Sequence, residues 1–323
     1  MEQEADSAYK LLLSCPHGFS PSEVSVVFDE SYDRVPHPDN NLENSISEIW
    51  DSRVQINKSL FNGQKFRYGG HIMQGEGGSS VESHVCLHLG LTDYRTFVGT
   101  NLNPLWEKFL VPSEVHKYAD HVCLASFYPH YCKYSVELGD DVIQCQHTAS
   151  PLGNGAVVET SDKKILLLQR SNNVGEFPGH FVFPGGHPEP QDAGITSHPC
   201  GSTDSEFINQ KVSQEMFDSI TREVVEEIGV PAESLCNPLF IGISRRRLNV
   251  RPAAFFFIKC SLQSNEIQQL YSTAQDGYES TQLFAVSMIE LENMASKMPG
   301  CHQGGFALYK LMVEAMNNIP QNS

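Results

Sequence analysis

No stretch of this 323-residue chain is apolar for long enough to cross a bilayer as a helix, which sets helical membrane proteins aside. Positive charge is scarce: 22 Lys and Arg stand against 39 Asp and Glu, a formal net charge of −17. Proteins that track nucleic-acid phosphates need clustered cations, so no nucleic-acid partner is expected. An anionic ligand must instead be drawn by bound metal and local arginines, not by the overall field. Paired cysteine motifs are also missing. Nine cysteines, an odd number, are scattered from Cys15 to Cys301 without a Cys-x-x-Cys pair, the pattern of free thiols in a reducing compartment. The first residues, Met1-Glu2-Gln3-Glu4-Ala5-Asp6, lack the basic start of a targeting peptide. A cytoplasmic protein is expected, with the nucleus as a second compartment.

What is present suits a globular enzyme. Apolar content of 40% with 10% aromatics supports ordinary cores, and the length allows one large or two modest domains. Residues 1–112 read as an N-terminal α+β region, with strands at 9–14 and 24–28 and a short helix at 106–110. A longer helix between residues 42 and 60 is carried by Ile46, Ile49, Trp50 and Val54 at helical spacing. Residues 113–150 read as a linker or insertion crowded with His, Tyr and Cys. A zinc site there would use His121, Cys123, His130 and Cys132. One residue between ligands is shorter than zinc motifs use, so ordinary loop or core roles are expected. Residues 151–320 alternate strands (155–160, 164–169, 180–183, 239–244, 253–260, 282–286) with helices (206–228, 266–273, 288–297, 305–317). That order predicts a mixed sheet flanked by helices.

The chemistry concentrates in Arg222-Glu223-Val224-Val225-Glu226-Glu227-Ile228-Gly229-Val230. On a helix Glu223 and Glu227 lie four apart on one face, with Glu226 beside them, and like charges that close repel. Mg²⁺ relieves the conflict, since it takes hard oxygen ligands and keeps positions open for water and phosphate. A solvated acidic face is the alternative. Upstream, Phe183-Pro184-Gly185-Gly186-His187-Pro188-Glu189-Pro190 forms a tight turn after an apolar strand. Gly185 and Gly186 let the backbone approach a phosphate-bearing ligand.

Together the Gly-Gly turn and a helix of pattern Arg-Glu-U-x-Glu-Glu-x-Gly-U (U aliphatic) resemble the Nudix box of nucleoside diphosphate hydrolases. The helical half matches at Arg222, Glu223, Val224, Glu226, Glu227, Gly229 and Val230. The usual box runs Gly, five residues, Glu, seven residues, Arg-Glu; here residues 187–221 separate Gly186 from Arg222. The extra stretch, 191–205, is rich in Ser, Gly, Pro, Asp and Thr and reads as an inserted loop. The first glutamate is displaced too. Gln214 stands eight before Arg222, and Glu215 stands seven before. Glu215 is preferred as a ligand because a continuous helix puts it under Arg222 and Glu226; Asp192 is the loop-side alternative. The insertion, with Ile49-Trp50-Asp51-Ser52-Arg53, Leu89-Gly90-Leu91-Thr92-Asp93-Tyr94-Arg95 and Gly99-Thr100-Asn101, resembles the UDP-glucose type of nucleotide-sugar pyrophosphatase, closest to its plant members.

That resemblance implies a fold, a reaction and a set of roles. The fold is the Nudix α/β/α sandwich with a mixed sheet, preceded by the smaller α+β region. The reaction is hydrolysis of a nucleoside diphosphate sugar (UDP-glucose, UDP-galactose or GDP-mannose) to nucleoside monophosphate and sugar 1-phosphate. Mg²⁺, with Mn²⁺ as a substitute, would be held by Glu223, Glu226, Glu227 and Glu215. Arg222 would pair with a carboxylate and fix the glutamates' orientation. Glu279 is a candidate general base or extra ligand, or an ordinary loop residue. Arg170 could pair with a phosphate, and His187 could bond a phosphate or sugar oxygen or simply cap its turn. Phe61 and Tyr94 match base-holding aromatics of the family; for Phe61 a core position is the default. Two other readings stand beside this one. Leu166-Leu167-Leu168-Gln169-Arg170-Ser171 followed by Gly179 and the Gly-Gly turn resembles coenzyme A pyrophosphatases, although Gly175 occupies the place of their second arginine. Gln214 motivates a non-catalytic nucleotide-sugar binder. The sequence is silent on oligomeric state.

Overall fold

The structure, a computed structural model, describes residues 7–74, 83–112, 140–199, 202–271 and 280–318. Its strands are β1 (Tyr9–Phe19), β2 (Val24–Phe28), β3 (Gln64–Gln74), β4 (His84–Asp93), β5 (Gly153–Glu159), β6 (Ile165–Arg170), β7 (Phe181–Val182), β8 (Leu239–Arg246), β9 (Pro252–Lys259) and β10 (Ser280–Val286). Its α-helices are α1 (Asn40–Ile56), α2 (Tyr94–Gly99), α3 (Asp140–Gln144), α4 (Ser202–Ile228), α5 (Ser264–Tyr271), α6 (Met288–Met294) and α7 (Gly300–Asn317). Among the described residues no helix is long and apolar enough to cross a membrane.

The chain divides into two compact units that interleave along the sequence. One comprises residues 1–24, 153–188 and 214–323; the other comprises 25–152 and 189–213. The linear division at residues 112 and 150 drawn from the sequence has no means of seeing this interleaving. Strand β1 pairs antiparallel with β8, from Tyr9↔Arg246 to Phe19↔Phe240, so the first strand joins the last third of the chain. The inserted loop groups with the N-terminal region instead.

In the first unit, seven strands form one mixed sheet in the order β1-β8-β9-β5-β6-β10, with β7 beside β6. The β5–β9 pair is parallel, and β1–β8, β8–β9, β5–β6, β6–β7 and β6–β10 are antiparallel. Strand β9 is buried from Pro252 through Ile258, as expected of a strand covered on both faces. Alternation sorts its side chains. Phe255 and Phe257 join Leu167, Ile241 and Phe183 in a core closed by Phe306, Leu308, Tyr309 and Met312 of α7, and Tyr309 stacks on Phe257 at 5.6 Å. Phe256 points the other way and meets Phe217 of α4 edge-on at 5.3 Å. Met216, Phe217, Ile220, Val224 and Ile228 are all buried along one stripe of α4, at the spacing of a helix face. Each such large apolar side chain contributes roughly 1.5–3 kcal/mol on burial. Helices therefore cover both faces, and the unit is an α/β/α sandwich.

The second unit carries a three-stranded sheet, β2-β4-β3, with Leu42 and Ile46 of α1 packed on Phe109. Arg67, only 3% exposed, donates to the carbonyls of Tyr32 (2.7 Å), Cys145 (3.1 Å) and Thr148 (3.3 Å). Its charge is thus spent on tying distant chain together. The inserted segment is anchored in the same unit. His198 Nε2 bonds Asp33 Oδ1 at 2.9 Å and its ring stacks on Phe28 at 4.6 Å; Glu189 pairs with Lys65. Strands β3 and β4 and the short helices α2 and α3 were not anticipated. Lys65, Arg67 and two glycines break the alternation in β3, and the anchoring contacts come from residues far away in sequence.

Candidate active site

The turn after β7 is held from two sides. From the sheet, Asn154 N–H donates to Gly186 O at 3.0 Å and Ala156 N–H to Pro184 O at 2.8 Å. The Asn154 side chain completes the tie: its Oδ1 accepts from Gly186 N–H at 2.7 Å, and its Nδ2 donates to Ser219 Oγ of α4 at 2.9 Å. From the helix, Glu227 Oε2 accepts from Gly185 N–H at 2.7 Å, and Glu223 Oε1 accepts from His187 N–H at 3.4 Å. Only glycine fits. Gly185 sits at φ +154°, where an added Cβ would lie 2.4 Å from Asn154 O. A Cβ on Gly186 would lie 2.0 Å from Glu223 Oε1.

The candidate residues fall in distinct places. Glu223 and Glu227 are brought together against the turn. Glu226 is exposed and lines, with Gln214, Asp218 and Arg222, a cleft of about 600 Å³ beside α4. Arg222 Nη2 donates to Glu215 Oε1 at 2.8 Å, and Glu215 is 5% exposed. The Arg222 side chain is 38% exposed, and the pair favours one orientation of each partner, with Glu215 Oε1 turned to Arg222. Among the described residues, no three His, Cys, Asp or Glu side chains gather as a metal-holding group. The donor chemistry nonetheless suits a hard divalent ion: three carboxylates within one helical turn, two of them steered by backbone N–H groups. Asp192 is an exposed turn residue. Glu279 and the four residues of the zinc reading lie outside the described residues.

Arg170 turns its Nε toward the carbonyl of Glu176 at 3.0 Å. Phe61, for which a core position was the default, is 72% exposed; the aromatic is displayed, not packed. Tyr94 begins α2, partly buried, with its ring edge-on to Trp50 at 5.9 Å, and Asp93 caps that helix through Thr96 N–H at 2.7 Å. Sequence reasoning missed several neighbours of the turn. Arg251 Nη2 lies 2.6 Å from His187 Nε2. Arg251 and Arg246 flank Glu176 at 3.2 and 2.5 Å. Burial alone would raise the Glu176 carboxyl's pKa, but Arg251 and Arg246 hold it below the usual range. Tyr271, the end of α5, has its phenol pushed up by burial and by the charge of Glu227. One signal was available: four of the chain's 22 Lys and Arg are Arg245, Arg246, Arg247 and Arg251, a dense group in an acidic chain.

No family model matches the chain. The chain belongs to the Nudix hydrolase family, and with it to the pyrophosphohydrolases. It is 60% identical over 320 residues to Nudix hydrolase 9 of Arabidopsis thaliana, spanning 98% of this chain and 95% of that protein. It is 32% identical over 314 residues to the uridine diphosphate glucose pyrophosphatase NUDT22 of Homo sapiens, spanning 94% and 93% respectively. Among solved structures, the MutT protein of Methanosarcina mazei Go1 overlaps 52% of this chain and 94% of its own at 18% identity, with a TM-score of 0.32.

Proposed function

We propose that the protein hydrolyses the diphosphate bridge of nucleoside diphosphate sugars, with UDP-glucose, UDP-galactose and GDP-mannose as first candidates, to nucleoside monophosphate and sugar 1-phosphate. The observation that carries this reading is the coupling of Glu223 and Glu227 to the backbone of the Gly185-Gly186 turn. The name of the human relative points to the substrate class.

Glu223, Glu226 and Glu227 would hold Mg²⁺, or Mn²⁺ in its place. When bound, such an ion neutralises phosphate oxygens and lowers the pKa of water. The chain's own residues provide the frame. Arg222, locked to Glu215, sets the orientation of the acidic helical turn and keeps Glu215 as a positioning group. The Gly-Gly backbone approaches the phosphates without a side chain in the way. Glu279 serves as general base or extra ligand in this reading. Hydrolysis needs these groups fixed before substrate arrives, because preorganised polar groups stabilise charge without reorganising.

The test is a panel of nucleotide sugars offered to the full chain with Mg²⁺ or Mn²⁺, with released monophosphate as the readout. Turnover of at least one is expected. No release from any member with either ion would overturn the reading.

A further inference from the structure

Two strained stretches of backbone meet beside the Gly-Gly turn. In the corner between β8 and β9, Asn249 (φ +54°) and Val250 (φ +48°) are both left-handed, and Phe177 (φ +49°) is left-handed across from them. A β-branched residue in that region is a true outlier and persists only when its surroundings impose it. Here the surroundings are ionic. Arg246 Nε donates to Asn249 Oδ1 at 2.5 Å, and Arg246 Nη2 to Glu176 Oε1 at 2.5 Å. The Arg246 guanidinium lies over the Phe177 ring at 5.0 Å. Glu176 Oε2 takes Arg251 Nη1 at 3.2 Å.

The product of this strain is the placement of one guanidinium. Arg246 is enclosed, at 2% exposure, whereas the Arg251 side chain keeps 20%. Arg251 points its second nitrogen at His187, the residue whose N–H faces Glu223. One residue thus touches both the acidic helix and the basic corner. Arginine only donates, so His187 Nε2 is the acceptor in this contact. An imidazole nitrogen is a neutral acceptor. A phosphate oxygen is a charged one, roughly twice as strong for an N–H donor, and suits the planar fork of arginine. Arg170 adds a third guanidinium nearby: with burial as the main cause, Arg170, Arg251 and Arg246 together depress the half-buried His302.

We propose that Arg251 is a substrate-binding residue that takes phosphate oxygens of the diphosphate bridge at the His187 edge of the turn, with Glu176 and Arg246 as positioning residues that hold its guanidinium there. This deepens the hydrolase reading above and rests on it.

Steady-state kinetics of the full chain on UDP-glucose with Mg²⁺ test the proposal. Arg251→Met is expected to raise KM at least tenfold with kcat within threefold. Arg251→Lys, which keeps the charge but loses the fork, should fall between. Glu176→Gln should raise KM about threefold, with kcat held. Titration calorimetry with inorganic pyrophosphate reads the same variants without turnover, so it still decides if UDP-glucose is not hydrolysed: weaker binding by Arg251→Met supports the site. Should Arg251→Met fail to fold, Arg251→Lys carries the test. Unchanged KM and unchanged pyrophosphate affinity in the folded variant overturn the proposal. A loss of kcat alone overturns it as well, since that outcome makes Arg251 part of the chemistry or the scaffold and not a binding group.

Discussion

Two charged clusters border the same turn and are built in opposite ways. The acidic one, Glu223, Glu226 and Glu227 with the Glu215–Arg222 pair, comes from a single helix within thirteen residues. The basic one, Arg170, Arg246 and Arg251 around Glu176, is gathered from the end of β6, the loop after it and the β8–β9 corner. Helical spacing writes the first directly into sequence. The second exists only once a sheet has brought two loops to one edge. The acidic cluster sits on relaxed helical backbone, while the basic one needs left-handed Asn249 and Val250. Strain is found where assembly is long-range.

Breaking the acidic side should cost most. Glu227→Gln keeps an oxygen for Gly185 N–H but loses the charge, and activity on the nucleotide sugar is expected to fall at least about 100-fold, of the order seen when catalytic groups are mispositioned. A fall below tenfold would move the chemistry away from this helix. The basic side should respond in KM instead, through the roughly tenfold rise described for Arg251→Met; equal kcat losses on both sides would erase the contrast.

The turn itself separates activity from stability. Gly186→Ala collides with the mobile end of Glu223, which can swing away. Turnover should drop about tenfold while the melting temperature hardly moves. Gly185→Ala collides with backbone at a positive φ, so it should lower stability by about 1–3 kcal/mol, seen as an earlier denaturant midpoint.

The last effect lies in pH. Burial, aided by the three arginines, pushes His302 down to about 3 from 6.5. Above pH 6.5 the ring is neutral in both folded and unfolded chain, and its full contribution is present. Below 6.5 the unfolded chain binds a proton that the folded ring refuses, so stability falls with acidity until about pH 3, by up to ~1.4 kcal/mol per pH unit. His88, lowered to about 4 by burial and by His71, acts in the same direction. Replacing His302 with Asn should flatten the stability profile between pH 6.5 and 4; an unaltered slope would mean that His302 takes up protons in the folded state.

How much of this was legible follows from the same physics. The strands of the sandwich were predicted within a few residues because β6 and β9 carry apolar runs between turns. The carboxylates were readable because spacing alone puts them on one helical face. Phe61 was misjudged because apolar character says nothing about which side chains a surface displays. Strand β3 was invisible because one of its residues, Arg67, is buried among carbonyls of Tyr32, Cys145 and Thr148, partners that no local pattern reveals. The interleaving of the two units has the same origin in the distant pairing of β1 with β8.

Asn154 carries a consequence of another kind. Its amide is both acceptor for the turn and donor to Ser219, and Gly155 follows it directly. An Asn-Gly step in loose chain is prone to losing ammonia, and the resulting aspartate has no N–H to give. It would also set a new negative charge beside Glu223 and Glu227. Held extended in the middle strand of a sheet, the step cannot curl into the ring that this ageing reaction needs. The shelf life of the site is therefore guarded by the fold, and each excursion to the unfolded state exposes it.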